Sequence, residues 1–381
     1  MPNRAIAALT EILRPEVDLG KSRLETLCLI VIGMVSARSV NLSHIACERP
    51  GAVQTASTYR RLQRFFQHVR LGEDWALPLM IGVLGQHGPW LLALDRTNWQ
   101  IGKREVNFLV LAVVTRRFRV PLLWTVIESR GCSDTAMRIT LIKRYLAHFP
   151  ATTIRMLLAD REFIGADWME FLCENNIPFA IRIRDNLRIT TEEGHDLTLR
   201  VRLRQARRSR VFRARLGTRE DTAAGNAPLL TIAAKPLKDE WLIVVTNVEA
   251  QIALRTYRKR WAIECLFGDA KTRGLNIEDT RLTDPRKLGL LMALVALAIA
   301  WAGRTAADKL GKHTPPRKSH GHYAKSFFRT GFDQIRNRLR TDPLDAIRPW
   351  LSIPEQNGSV NRWNSPQRRR SGRRLGACAP T

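Results

Sequence analysis

Tyr257, Arg260, Glu264 and Lys271 stand at offsets 0, 3, 7 and 14 within RTYRKRWAIECLFGDAKTRG. On a continuous α-helix turning about 100° per residue they fall at about 0°, 300°, 340° and 320°, within one arc about 60° wide. One stripe then offers a carboxylate flanked by two cations and a phenol. That is a poor way to build a core and a good way to meet a metal ion and a phosphodiester together. The same residues can also make an exposed, salt-bridged helix face, so the stripe needs companions elsewhere in the chain.

Two aspartates stand where strand ends would deliver them. Asp95 closes the apolar run WLLAL, and Asp160 closes MLLA. Asp185 competes with Asp160 because it too follows a strand-like run, IRIR. The uninterrupted apolar lead-in of Asp160 suits a central buried strand better than a run already alternating with arginine. Taken alone, each of these acids is equally readable as a turn former.

The elements around them follow from hydropathy patterning. Short β-like runs, WLLALD (90–95), NFLVLAVV (107–114) and VPLLWTVIE (120–128), predict an antiparallel meander. A helix capped by Asp134, the apolar strand IRMLLAD (154–160), the helix ADWMEFLCENN and the strand PFAIRIRD (178–185) continue the chain. This βββαβαβ order is that of a ribonuclease-H-like core, an α/β fold with a mixed five-stranded sheet and flanking helices. In such a core the first and fourth strands are neighbours, so Asp95 and Asp160 face each other and Glu264 arrives on a helix packed over that edge. Three converging carboxylates can hold two Mg²⁺ or Mn²⁺ ions, hard cations that prefer oxygen ligands. Two such ions serve in-line displacement at phosphorus.

Between Asp185 and Glu249 the pattern changes. The runs LTLRVRLRQ, SRVFRARLG and EWLIVVTNV alternate with period two, and Arg200 to Arg219 contains nine arginines. A β-rich insertion at about 186–248 is expected, with a basic face carrying Arg202, Arg204, Arg213 and Arg215 toward DNA. Residues 1–86 read as an α-helical DNA-binding region, in which Arg60, Arg61, Arg64 and Arg70 interleave with Phe65 and Phe66. The catalytic core then spans 87–310, a helical region 311–354, and a disordered basic tail 355–381.

The chain has 381 residues, with 62 Lys and Arg against 35 Asp and Glu, a net charge of +27. A polyanionic partner is implied, and nucleic acid fits better than membrane because no lipidation motif or signal-peptide pattern is visible. The longest uncharged stretch, Leu288 to Gly303, is too short for the roughly 20 residues a bilayer needs and reads as a buried helix. Six cysteines without CxxC spacing indicate neither zinc site nor disulfide framework. A cytoplasmic, DNA-associated protein is the expectation.

Asp95 in LDRTNW, Asp160 in ADREF and the Tyr257, Arg260, Glu264, Lys271 series resemble the DDE triad and Y-R-E-K signature of insertion sequence 4 transposases, and Trp261 after the signature arginine extends the likeness. The resemblance implies Asp95, Asp160 and Glu264 as catalytic Mg²⁺ ligands, with Tyr257, Arg260, Trp261 and Lys271 at DNA. It further implies cut-and-paste transposition by a synaptic homodimer at terminal inverted repeats, through hydrolysis, a hairpin and strand transfer into target DNA. In relatives a tryptophan of the insertion stacks on a flipped base. Trp241 is the only tryptophan of this insertion, and it also reads as an ordinary sheet residue. Gly268, about one turn past Glu264, would leave room for DNA or metal. Two other classes remain: a DNA-binding protein on an inactive nuclease core, and a structure-specific DNA nuclease.

Overall fold

The apolar runs of the middle third become strands β1 (Trp90–Ile101), β2 (Arg104–Val114) and β3 (Arg119–Ile127). The computed structural model describes residues 2–49, 51–85, 88–115, 117–127, 133–218 and 227–353. The expected boundary at 86/87 and the basic tail from 355 onward fall outside these. β1 and β2 pair antiparallel down to Ile101 and Arg104, leaving a two-residue turn in which Gly102 takes φ 59°. A Cβ disfavours that left-handed conformation, so glycine suits the hairpin.

The chain continues through α6 (Thr135–His148), β4 (Ile154–Ala159), α7 (Ala166–Glu174) and β5 (Phe179–Arg182). Helix α6 begins as its sequence predicts, with Asp134 Oδ1 accepting from the Met137 amide at 2.7 Å. Strand β4 pairs parallel with β1, and β5 parallel with β4. The order β3-β2-β1-β4-β5 therefore fits the ribonuclease-H-like arrangement expected of the sequence.

The sheet does not stop at five strands. After β6 (Arg188–Thr191), β7 (Asp196–Thr198), β8 (Arg210–Leu216), β9 (Leu230–Pro236) and β10 (Trp241–Thr246), the described chain forms one ten-stranded sheet, with β10 antiparallel to β5. The run LTLRVRLRQ is not a continuous strand. It is β7 followed by a short helix, α8 (Leu199–Leu203), because Leu199 and Leu203 lie one helical turn apart and both are buried. Arg202 therefore stands on this helix, and Arg204 at its end.

Helices flank this sheet. The segment after β10 forms α9 (Ala250–Tyr257), a 3₁₀ turn (Arg258–Arg260) and α10 (Trp261–Ala270). Then α11 (Pro285–Leu310) runs for 26 residues, ten beyond the uncharged stretch, because Asp284 caps it and Pro285 opens it. It is apolar and long enough to cross a membrane, yet 89% of its most apolar window is buried inside the fold. Its cover comes from both ends of the chain: α2 (Lys21–Ala37), α5 (Leu77–Leu84) and α12 (Phe327–Thr341) pack on it, and it also lies against β3. A Cβ on Gly331 of α12 would lie 1.8 Å from the Ala302 carbonyl oxygen, so only glycine permits that approach. Among the described residues the N-terminal segment holds helices and no strand, with α1 (Pro2–Leu13), α3 (Leu42–Cys47) and α4 (Thr55–His68) completing it.

Candidate active site

The parallel register decides where the aspartates stand. Leu92, Ala93 and Leu94 pair with Leu157, Leu158 and Ala159, and the next step along each strand is Asp95 and Asp160. Asp95 does not end its strand, since β1 continues to Ile101 paired with β2 alone. It stands where β1 loses its second neighbour, and the side chain there is free to face the site rather than a packed sheet.

The segment carrying the third acid is not one straight helix. It tightens into the 3₁₀ turn at Arg258–Arg260, and Lys271 ends α10 with ψ −143°. The bend has a packing cause: α9 lies against β5, β9 and β10, whereas α10 crosses β1, β2 and β3. A straight rod would not follow a twisted sheet across both sets. Two of the four signature residues, Glu264 and Lys271, nonetheless meet the two aspartates. Asp95, Asp160, Glu264 and Lys271 line one pocket of about 500 Å³, along with Arg96, Asn98, Glu162 and Gly268.

Arg260 joins the acids. Its Nη1 donates to Asp95 Oδ2 at 3.0 Å and its Nη2 to Glu264 Oε1 at 2.5 Å, with Asp160 Oδ2 4.0 Å away. Burial opposes its charge, but neighbouring Tyr257 and the three carboxylates hold its pKa above the ordinary arginine value. Burial also pushes the Asp95 carboxyl up to about 6, against the pull of Arg260 and the Arg96 amide. Tyr257 is buried, its hydroxyl donates to Asp160 Oδ1 at 3.3 Å, and desolvation pushes its phenol well above the usual range. Lys271 donates to the Asn98 carbonyl at 3.0 Å and lies 3.2 Å from Glu278 Oε1.

A second layer escaped sequence reasoning. Arg96 grips Glu162 with two bonds of 2.9 and 2.8 Å, tying β1 to the loop after Asp160. Buried Arg138 of α6 holds that loop from behind, donating to the Glu162 carbonyl at 3.1 Å and the Ile164 carbonyl at 3.3 Å. Its signal was available in the sequence: Arg96 directly follows Asp95, and Glu162 comes two residues after Asp160.

The remaining expected residues lie outside the pocket lining. Trp261 is 64% exposed. Trp241 opens β10, half-buried and paired with Pro236. Arg202 covers the Phe212 ring at 5.3 Å, Arg213 lies 3.5 Å from Glu192, Arg215 donates to the Ala227 carbonyl, and Arg204 is exposed. Asp185 is taken by Arg200 at 3.0 Å, and hydrogen bonding to that side chain lowers its pKa. A Cβ at Gly268 would meet the Arg273 side chain at 3.3 Å, so the space it leaves is bordered by that cation.

The family described as Transposase DDE domain matches residues 86–301, more than half of the chain, including strands β1 to β10, the three acids and helices α9 and α10. This chain belongs to the DDE transposase family. No curated relative matches it. Membership makes DNA the substrate and DNA cleavage with strand transfer the chemistry of the DDE domain. It also brings an expectation of divalent metal, which the donor set can be tested against. The three acids supply only hard oxygen ligands to one pocket, as Mg²⁺ or Mn²⁺ requires. Among the described residues no three His, Cys, Asp or Glu groups are grouped closely enough to hold an ion, because the acids turn toward Arg260 rather than toward one another. The donor types fit a divalent cation, while in this arrangement the Arg260 guanidinium supplies the positive charge that the three acids face.

Proposed function

We propose that the protein is a cut-and-paste transposase of the insertion sequence 4 type, moving an element bounded by terminal inverted repeats. The observation that supports this most directly is the meeting of Asp95, Asp160 and Glu264, from three separate elements, at one pocket that Lys271 also lines. Asp95, Asp160 and Glu264 would hold two Mg²⁺ or Mn²⁺ ions, which supply Lewis-acid polarisation of the phosphate and a more acidic attacking hydroxyl.

The side chains provide position and charge. Tyr257 orients Asp160 through its hydroxyl. Lys271 offers a point charge to a phosphate oxygen, and Arg260, on leaving the acids, a two-pronged one. In the first step a water oxygen bonds to phosphorus and the P–O3′ bond breaks, freeing a 3′-hydroxyl at the element end. That hydroxyl then attacks phosphorus on the opposite strand to close a hairpin, expelling the flanking strand. Reopening of the hairpin and attack on target DNA complete the transfer. The helical N-terminal region, the exposed arginines of the insertion and Trp261 extend the DNA-contacting surface, with Trp241 as a base-stacking candidate. The enzyme acts as a homodimer joining two ends.

Incubation with Mg²⁺ and a duplex ending in the element's inverted repeat tests the proposal. Hairpin-ended product is expected. Asp95→Asn, Asp160→Asn and Glu264→Gln should each abolish it while DNA binding persists, and Asp185→Asn should not. Nicking at arbitrary junctions would instead indicate a structure-specific nuclease, and binding without cleavage an inactive core.

A further inference from the structure

A groove of about 350 Å³ opens between α4 and the chain leading into α11. Arg64 contributes one wall, and Arg281 and Lys287 the other. Tyr59, Gln63 and Gln67 add a hydroxyl and two amides, while no carboxylate belongs to the lining. Its charge is therefore positive, opposite in sign to the catalytic pocket, where four acids face two cations. Arg64 and Arg281 are exposed, and the Lys287 ammonium is held by the Gln67 side chain at 2.6 Å, so the two walls already share a donor-rich seam.

The groove is also tied to the catalytic pocket through two consecutive residues. Asp279 accepts from Ser39 at 2.9 Å and from Asn41 at 3.4 Å, and Asn41 lines the groove. Glu278, its neighbour in the chain, pairs with Lys271, which lines the catalytic pocket. One acidic turn thus separates the two sites.

We infer that this groove binds the phosphate backbone of the same DNA duplex whose end enters the catalytic pocket, an inference that rests on the transposase reading above. Arg64, Arg281 and Lys287 neutralise phosphates on one strand. The groove positions the duplex without reading its sequence, as contacts to phosphate do. Of the arginines that the α4 sequence offers, Arg61 is unavailable, being turned inward onto Thr26 and Ser22 at 2.6 and 2.7 Å.

The test is fluorescence anisotropy with a labelled duplex of about 30 base pairs, across a salt series. The triple variant Arg64→Gln, Arg281→Gln, Lys287→Gln is compared with an equally discharged control, Lys312→Gln, Arg340→Gln, Arg348→Gln, whose side chains are exposed elsewhere. Circular dichroism checks the fold of both. The groove variant should lose roughly tenfold or more in affinity at 0.15 M salt, and its slope of log K against log salt should become shallower by about 2 to 3. The control should change far less. Equal losses in the two variants, or none in the groove variant, overturn the groove. A wild-type protein that binds no duplex overturns the transposase reading and the groove with it.

Discussion

Arg260 Nη1 lies 3.0 Å from Asp95 Oδ2, so a cation that the proposed function assigns to DNA is, in the free protein, the counter-ion of a half-buried acid. Glu264 and Asp160 share the same guanidinium. Removing one partner of a partly buried pair leaves the other partly desolvated and uncompensated, at a cost of about 1 to 3 kcal/mol, between the exposed and fully buried cases. Arg260→Gln is therefore expected to lower the Tm clearly in the presence of a chelator. The deficit should shrink when Mg²⁺ is added, because a second source of positive charge then faces the acids. A variant as stable as wild type in chelator would show that Arg260 does not compensate the acids.

The lysine of the signature is engaged in the same way. Its partner is Glu278, 3.2 Å distant, and about 30% of each side chain is exposed. A phosphate approaching Lys271 must compete with that carboxylate. Glu278→Gln keeps the shape of the side chain and removes the competitor, so binding of an inverted-repeat duplex should tighten by roughly threefold, the scale of a half-exposed ion pair. Titration by anisotropy measures it. Weaker binding would mean that Glu278 positions the lysine for DNA instead of competing for it.

Asp160 depends on a loop that two arginines hold. Arg96 grips Glu162 with two bonds, and Arg138 donates to the carbonyls on either side of Phe163. Arg96→Ala and Glu162→Ala are each expected to reduce the cleavage rate by about 10- to 100-fold, since small displacements of a reacting group are costly. DNA affinity should change little. The double variant should be no worse than the more damaging single one, as expected of two residues acting as a unit. Additive losses would show that Arg96 and Glu162 act separately.

Much of this arrangement was legible in the sequence for physical reasons. Strands β1 to β5 were visible because buried strands are continuous apolar runs, and the parallel register of β1 with β4 then places Asp95 beside Asp160. What periodicity alone did not give was the bend after Tyr257, since a 3₁₀ turn of three residues barely disturbs a helical pattern. Nor did it give α8, where leucines at 199 and 203 satisfy a helical period and a strand period equally. The pairings of Arg260 and Lys271 were hidden for another reason. Spacing shows which residues share a face, but Asp95 and Asp160 beside Arg260, and the Asn98 carbonyl beside Lys271, come from elements that only the tertiary fold brings near.

A last consequence concerns pH. Asp269 follows Gly268 on α10, is 5% exposed, and faces Arg119 of β3 at 3.7 Å. Burial pushes its carboxyl from 3.8 up to about 6, with Arg119 and Arg273 opposing. A folded-state pKa above the unfolded one means that the native state holds its proton longer. The stabilisation is therefore complete below about pH 4 and is lost as pH rises through 6. Asn cannot ionise and escapes that loss. Between pH 4.5 and 7.5 the stability of Asp269→Asn relative to wild type should improve by about 2 kcal/mol. Urea unfolding at the two pH values measures the difference. If the two proteins keep a constant gap across this range, Asp269 is ionised at both pH values and the Arg119 and Arg273 charges outweigh its burial.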